Sequence, residues 1–420
     1  MLNYLIFILL AGLGIYFLPK FSFLKTTGLS PRSIRILFFI KVTAGVLIGW
    51  VSHQFYKAND YWDMNKEGYK EYQILKNNPI EFISNLFYSP YADKYGRFFS
   101  AVGSYWNDLR NNMVIKLVAI FNLIAGGNYY INSLLFNFIA FFGCVAMFKL
   151  LIKVYPKKIW QSIFCAFLMP STLYFTSGIH KDLIIITSLS FYCYFLYATA
   201  TQNAKIKNLV GLSISLIFIL LVRNFILIPL IPISIIYILS NKYSLKPSML
   251  FLGLIVLSVS ILLIWDLTEL PHSPLGLIVD RQHDFLELDP GESQLFVTEL
   301  QPNLKDFILN LPSSLEHVFL RPFIWEQGNF FYIPVSAELL FIQIIFVLML
   351  FFRSKDVSTD PSMIWLFLIL SLFMFLVIGF TIPNLGAIVR YRSIYLPFLV
   401  FPIICSVRWE KLNRIRRIIK

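Results

Sequence analysis

Apolar residues run along this chain in long blocks separated by short polar connectors. A helix that crosses a bilayer needs about 20 such residues, with a range of roughly 17–25. Segments 2–18, 36–52, 130–151, 160–177, 183–200, 248–265, 336–352, 362–380 and 393–407 qualify. The run 209–239 is too long for one crossing and is broken by Arg223-Asn224, so it divides into two short spans and brings the expected number to eleven. Segment 113–126 reads as an interfacial or re-entrant helix, because a further crossing there would invert every later loop. No internal repeat, low-complexity tract or soluble domain is visible. Residues 1–420 are therefore expected to form a single integral membrane domain of the all-α, polytopic class.

Two connectors are large. Residues 53–112 are polar and aromatic, with short helices and with Pro79 and Pro90 as breakers. Residues 266–335 are acidic, carry a turn at Asp289-Pro290-Gly291, and end in an amphipathic stretch from Leu304 to Phe319 that suits a membrane surface. Charge then sets the orientation. Connectors 19–35, 152–159, 201–208, 240–247 and 353–361 and the tail 408–420 hold 19 basic residues against three acidic ones. Loop 266–335 holds eleven acidic residues and three basic ones. Cytoplasmic loops are the basic ones, which puts both large loops on the non-cytoplasmic side. The first span lacks a basic segment before it and has Lys20 and Lys25 after it, so it reads as a span entering from outside and not as a cleaved leader.

Composition agrees with this picture. The chain is 57% hydrophobic and 14% charged, where soluble domains sit near about 25% charged. The net charge of +13 follows from the basic cytoplasmic connectors and gives no case for nucleic acid. Four cysteines lie inside apolar segments without disulfide or zinc spacing, and the five histidines are scattered. There is no GxxxxGK[ST], GxGxxG, HExxH or CxxC pattern, so nothing supports nucleotide chemistry on the cytoplasmic side.

Chemistry-bearing residues gather in the outer connectors, where they read as one polar site. Asp60 and Asp63 follow the second span; either can act as a base toward a hydroxyl, Asp60 being nearer the span end, or be a solvated loop acid. Gly178-Ile179-His180-Lys181-Asp182 forms a tight hairpin tip, with Pro170 bending the span before it. There Gly178 can end one helix and Asp182 cap the next, but His180 and Lys181 have no such structural duty. Arg223 interrupts an apolar run at an expected cost of about 2.5–3.5 kcal/mol, which calls for a cavity or a partner. Arg390 and Arg392 precede the last span; in an extended entry segment they could grip a diphosphate from two directions, or else snorkel to lipid phosphates. Arg321 and Glu326 close the motif Arg321-Pro322-Phe323-Ile324-Trp325-Glu326 and can orient each other or a substrate.

An aspartate in the first large outer loop, an acid at a later outer hairpin and arginines near a late span together resemble the GT-C superfamily of membrane glycosyltransferases. The regions that carry the likeness are Asp60–Tyr72, Pro170–Asp182, Arg321–Glu326 and Arg390–Pro397. The first acid follows span two, so an extra N-terminal span is needed, and no adjacent pair of acids marks a metal. A divalent cation stays a candidate cofactor and no metal ligand is assigned. The resemblance implies a polyprenyl-phosphate or diphosphate sugar donor, a glycan or lipid-linked acceptor, and work on the outer face of a bacterial inner membrane. It would make Asp60 or Asp63 the base, with Asp182 and Glu326 positioning the acceptor or a cation. His180 would bind substrate, and Lys181, Arg223, Arg321, Arg390 and Arg392 would bind substrate or neutralise phosphate. The acidic late loop is also similar to that of O-antigen polymerases and ligases. A transporter for lipid-linked saccharides is the alternative of another class, though it predicts polar residues at the bilayer midplane.

Overall fold

A computed structural model describes residues 2–56, 59–91, 98–99, 103–201, 205–268, 273–288, 293–326, 332–354, 356 and 358–410. The chain is an all-α, polytopic membrane protein. Helices of thirteen residues or more are α1 Leu2–Phe17, α2 Pro31–Phe55, α3 Asp60–Asn77, α4 Tyr105–Ala125, α5 Tyr129–Val154, α6 Lys181–Thr201 and α7 Ile206–Arg223. They continue with α8 Leu227–Lys242, α9 Pro247–Thr268, α10 Pro274–Leu286, α11 Leu304–Phe319, α12 Tyr332–Phe351, α13 Pro361–Thr381 and α14 Leu385–Cys405. Among the described residues extended pairing is confined to the isolated bridges Gln294–Asn384 and Arg353–Val407.

Nine helical runs among the described residues are long and apolar enough to cross a membrane, where the hydrophobic pattern predicts eleven. Two places account for the difference. Segment 160–177 is no single helix: Ile159–Ile163 passes through a wide turn at Phe164–Leu168, Met169 is extended, and a new helix runs Pro170–Phe175. Proline drives the residue before it out of the helical region and cannot donate to the turn behind it. The run Ile206–Lys242 counts once; within it α7 ends at Arg223, a short 3₁₀ stretch covers Asn224–Ile226, and α8 begins at Leu227. The last helix also starts at Leu385, capped by Asn384, so Arg390 and Arg392 lie inside it and not in an extended entry. Pro79 opens a short helix, Pro79–Ser84, behind its Asn78 cap. The expected turn at Asp289-Pro290-Gly291 lies outside the described residues.

Contacts divide the chain into two compact units, Met1–Lys149 with Thr172–Leu227, and Leu150–Ser171 with Ile228–Lys420. In the first, Ile48, Tyr61, Val114, Val118, Tyr129, Phe136, Ala140, Ile179 and Leu183 form a core. Buried amides tie α3, α4 and α5 together. Asn132 Nδ2 donates to Asn65 Oδ1 at 2.9 Å and to Asn122 Oδ1 at 2.7 Å, and Asn65 Nδ2 donates to the Gly127 carbonyl at 3.0 Å. In the second unit α11 crosses α13 closely, since a Cβ at Gly379 would stand 2.4 Å from the Ser314 carbonyl. Around that crossing Leu275, Val279, Leu300, Phe307 and Phe380 make a separate core. The amphipathic stretch at Leu304–Phe319 is thus a helix with Phe307, His317 and Val318 buried and with Ile308 and Leu309 exposed.

Candidate functional site

The first unit assembles four ionisable groups at one end of α2, α6 and α7. The turn Thr176–Ser177 is pinned from α2 and α5: Lys41 Nζ donates to the Thr176 carbonyl at 3.1 Å, and Asn137 Nδ2 to the Ser177 carbonyl at 2.7 Å. This fixes where the 178–182 turn begins. Across from it, Asn59 caps α3 and its Nδ2 donates to the Ser52 carbonyl at 2.7 Å. The Trp62 indole N–H donates to the Gly49 carbonyl at 2.9 Å, which holds the first turn of α3 against the end of α2.

Between these anchors Asp182 is fully buried. Its Oδ1 accepts from Arg223 Nη2 at 2.8 Å, and its Oδ2 lies 2.9 Å from His180 Nδ1. The Asp182 N–H also donates to that nitrogen, at 3.3 Å. The other ring nitrogen, Nε2, then faces Asp60 Oδ2 at 3.7 Å. The Asp60 side chain is 55% exposed and that of His180 3%. The order Asp60, His180, Asp182, Arg223 therefore runs from solvent to a buried ion pair. Lys181 donates to Asn111 Oδ1 on α4 at 2.9 Å. Asp63 does not join the chain of contacts: it pairs with Lys66 at 3.2 Å on an exposed face of α3.

Gly178 makes this approach possible. A Cβ there would lie 2.5 Å from the buried Tyr61 ring and 3.3 Å from Ile48. The Tyr61 ring in turn packs on the His180 imidazole, with centroids 5.4 Å apart. Gly178→Ala is expected to cost about 1–3 kcal/mol through overpacking and to displace His180. Thermal unfolding in detergent should show the loss, with partial recovery when Tyr61→Leu is added. Equal stability of the single variant and the parent would refute it.

The second unit holds the remaining residues singled out by the sequence. Arg321 sits between two carboxylates, Nε 3.1 Å from Glu316 and Nη1 3.4 Å from Glu326. Arg392 is 2% exposed, and its Nη1 donates to the carbonyls of Val318 and, at 2.9 Å, of Arg321. Its Nη1 thus fastens the end of α11. Arg390, two residues earlier on the same helix, lies over the Tyr391 ring at 5.1 Å. Burial, and then the Arg321 charge, hold His317 below the usual histidine pKa. Glu338 on α12 is buried and accepts the Ser171 N–H at 3.1 Å. Glu338 and Asn111 join the residues named above. A lone carboxylate within an apolar run was the available signal for the first, and nothing local marks the second.

The ten candidate residues therefore do not act alike. Asp60, His180, Asp182 and Arg223 are in contact, as are Arg321, Glu326 and the backbone that Arg392 grips. Among the described residues no group of three or more His, Cys, Asp or Glu side chains is placed to hold a metal ion. Comparison with protein-family models, with curated proteins and with solved structures finds no match to this chain.

Proposed function

We propose that the chain is a membrane glycosyltransferase that moves a sugar from a polyprenyl-phosphate or diphosphate donor to an acceptor hydroxyl, on the outer face of a bacterial inner membrane. The observation that carries this reading is the contact series Asp60–His180–Asp182–Arg223 at one end of three spans. Arg32 and Arg35 begin α2, and Lys205 and Lys207 mark the start of α7, all at the opposite ends of the same helices. By the positive-inside bias those ends are cytoplasmic, which leaves the contact series facing out.

The chemistry needs a base that water can reach and that protein holds in place. Asp60 is half-exposed and takes the acceptor proton, with His180 Nε2 3.7 Å from its Oδ2. The deprotonated oxygen attacks the anomeric carbon, the bond from that carbon to the phosphate oxygen breaks, and the carrier phosphate leaves with the electron pair. Lys181 supplies positive charge to that leaving group, where charge builds in the transition state. Arg223 pairs with Asp182 at 2.8 Å and so holds in place the carboxylate beside His180.

Purified chain in lipid vesicles, given polyprenyl-phosphate sugars from a bacterial lipid extract together with glycan acceptors, is expected to release free carrier phosphate. Movement of the sugar lipid between leaflets without release would replace this reading with a transporter.

A further inference from the structure

The motif Arg321–Glu326 forms a built turn whose purpose the transfer chemistry does not use. The Phe323 N–H donates to Glu326 Oε2 at 2.9 Å, and the Glu326 N–H donates back to the Phe323 carbonyl at 3.1 Å. Ser336 Oγ also donates to that carbonyl at 3.3 Å, and Arg392 holds the Arg321 carbonyl at 2.9 Å. Six residues thus close on themselves and onto two helices. What they present is aromatic: the Phe323 and Trp325 rings are stacked within 4° of parallel, with centroids 5.2 Å apart. Trp325 is 79% exposed.

We infer that this turn is a binding platform for a neutral saccharide ring, with Trp325 as the stacking surface and Arg321 and Glu326 as the hydrogen-bonding rim. A pyranose has a face of C–H groups that packs on an aromatic plane and an edge of hydroxyls that needs donors and acceptors. Sites of this kind combine aromatic walls with a few placed polar groups. Arg321 and Glu326 keep 28% and 16% of their side chains exposed, so both can be reached. A ring already fixed by its turn loses little freedom when a ligand docks. Charge selects among ligands. Residues 266–335 hold eleven acidic side chains against three basic ones, and Arg321 lies between two carboxylates. That field disfavours phosphates, nucleic acids and anionic lipid headgroups and leaves polyhydroxyl, uncharged ligands. The inference stands on the turn itself and not on the reaction assigned to Asp60 and His180.

The test is saturation-transfer NMR on the full chain in nanodiscs. The probes are glucose, galactose, N-acetylglucosamine, rhamnose, maltotetraose and chitotetraose, with no donor lipid present. At least one probe should receive saturation at its ring C–H protons. Trp325→Ala should weaken its binding about tenfold or more, and Trp325→Phe, which keeps a smaller ring, should fall between. Both variants are first shown to be monodisperse and to melt like the parent. No transfer to any probe, or equal transfer in Trp325→Ala, would overturn the platform. So would quenching of Trp325 fluorescence by brominated phosphatidylcholine that saturating sugar leaves unchanged, because the indole would then be a membrane anchor. Since binding is read without turnover, loss of sugar binding and loss of transfer activity are separate results.

Discussion

Arg223→Ala is expected to destabilise the chain by about 3–5 kcal/mol, the usual cost of removing one partner from a buried pair. Asp182 is fully buried and Arg223 Nη2 is 2.8 Å from its Oδ1. Without the guanidinium a buried carboxylate loses the charge that lies 2.8 Å from its Oδ1. Adding Asp182→Asn should return part of the lost stability, because the charge that lacked a partner is gone. Denaturant titration in mixed micelles reads both. If the double variant is no more stable than Arg223→Ala, the two side chains are not coupled.

The second large effect concerns turnover. Positioned bases contribute about 10²–10⁴-fold, and His180→Ala and Asp60→Asn should each slow carrier release by that order at saturating donor. Asp63→Asn should stay near the parent rate, since Asp63 pairs with Lys66 on an exposed face. Initial rates of phosphate-lipid release decide it. Near-parental rates in both His180→Ala and Asp60→Asn would remove the contact series from the chemistry, whatever becomes of stability.

Much of the fold is written in hydropathy because apolar length alone dictates a crossing helix. The break inside 206–242 is legible for the same reason in reverse: Arg223 and Asn224 are polar where their neighbours are not. Hydropathy misleads where backbone chemistry decides. Residues 160–177 carry no charge and are mostly apolar, yet Pro170 forces Met169 out of the helix and divides them. The opposite error affects Arg390 and Arg392, whose charges truncate the hydropathy signal, although Asn384 caps a helix that carries both. The residue types of the site are legible as well, for His, Lys and Asp at a hairpin tip have few structural uses. Their partners are not. Asp60 and Asp63 lie one helical turn apart, and which of them meets His180 depends on how the Trp62 indole bonds the Gly49 carbonyl. Nor does sequence foretell that Arg392 Nη1 bonds the carbonyls of Val318 and Arg321.

Helix α9 has a consequence of its own. Of its 22 residues only Phe251 is buried, against Trp365 of α13. At 1.5 Å per residue it measures about 33 Å, close to the roughly 30 Å hydrocarbon depth of a typical bilayer. Held by so little protein, it takes its lean from acyl-chain length more than from packing. Asp266 near its end accepts the Leu304 N–H at 2.9 Å, and Leu304 is the first residue of α11. The far end of α11 is the stem of the Arg321–Glu326 turn. Lipid thickness thus has a mechanical route to the aromatic platform, and reconstitution in short- and long-chain lipids is a variable of the molecule as well as of its surroundings.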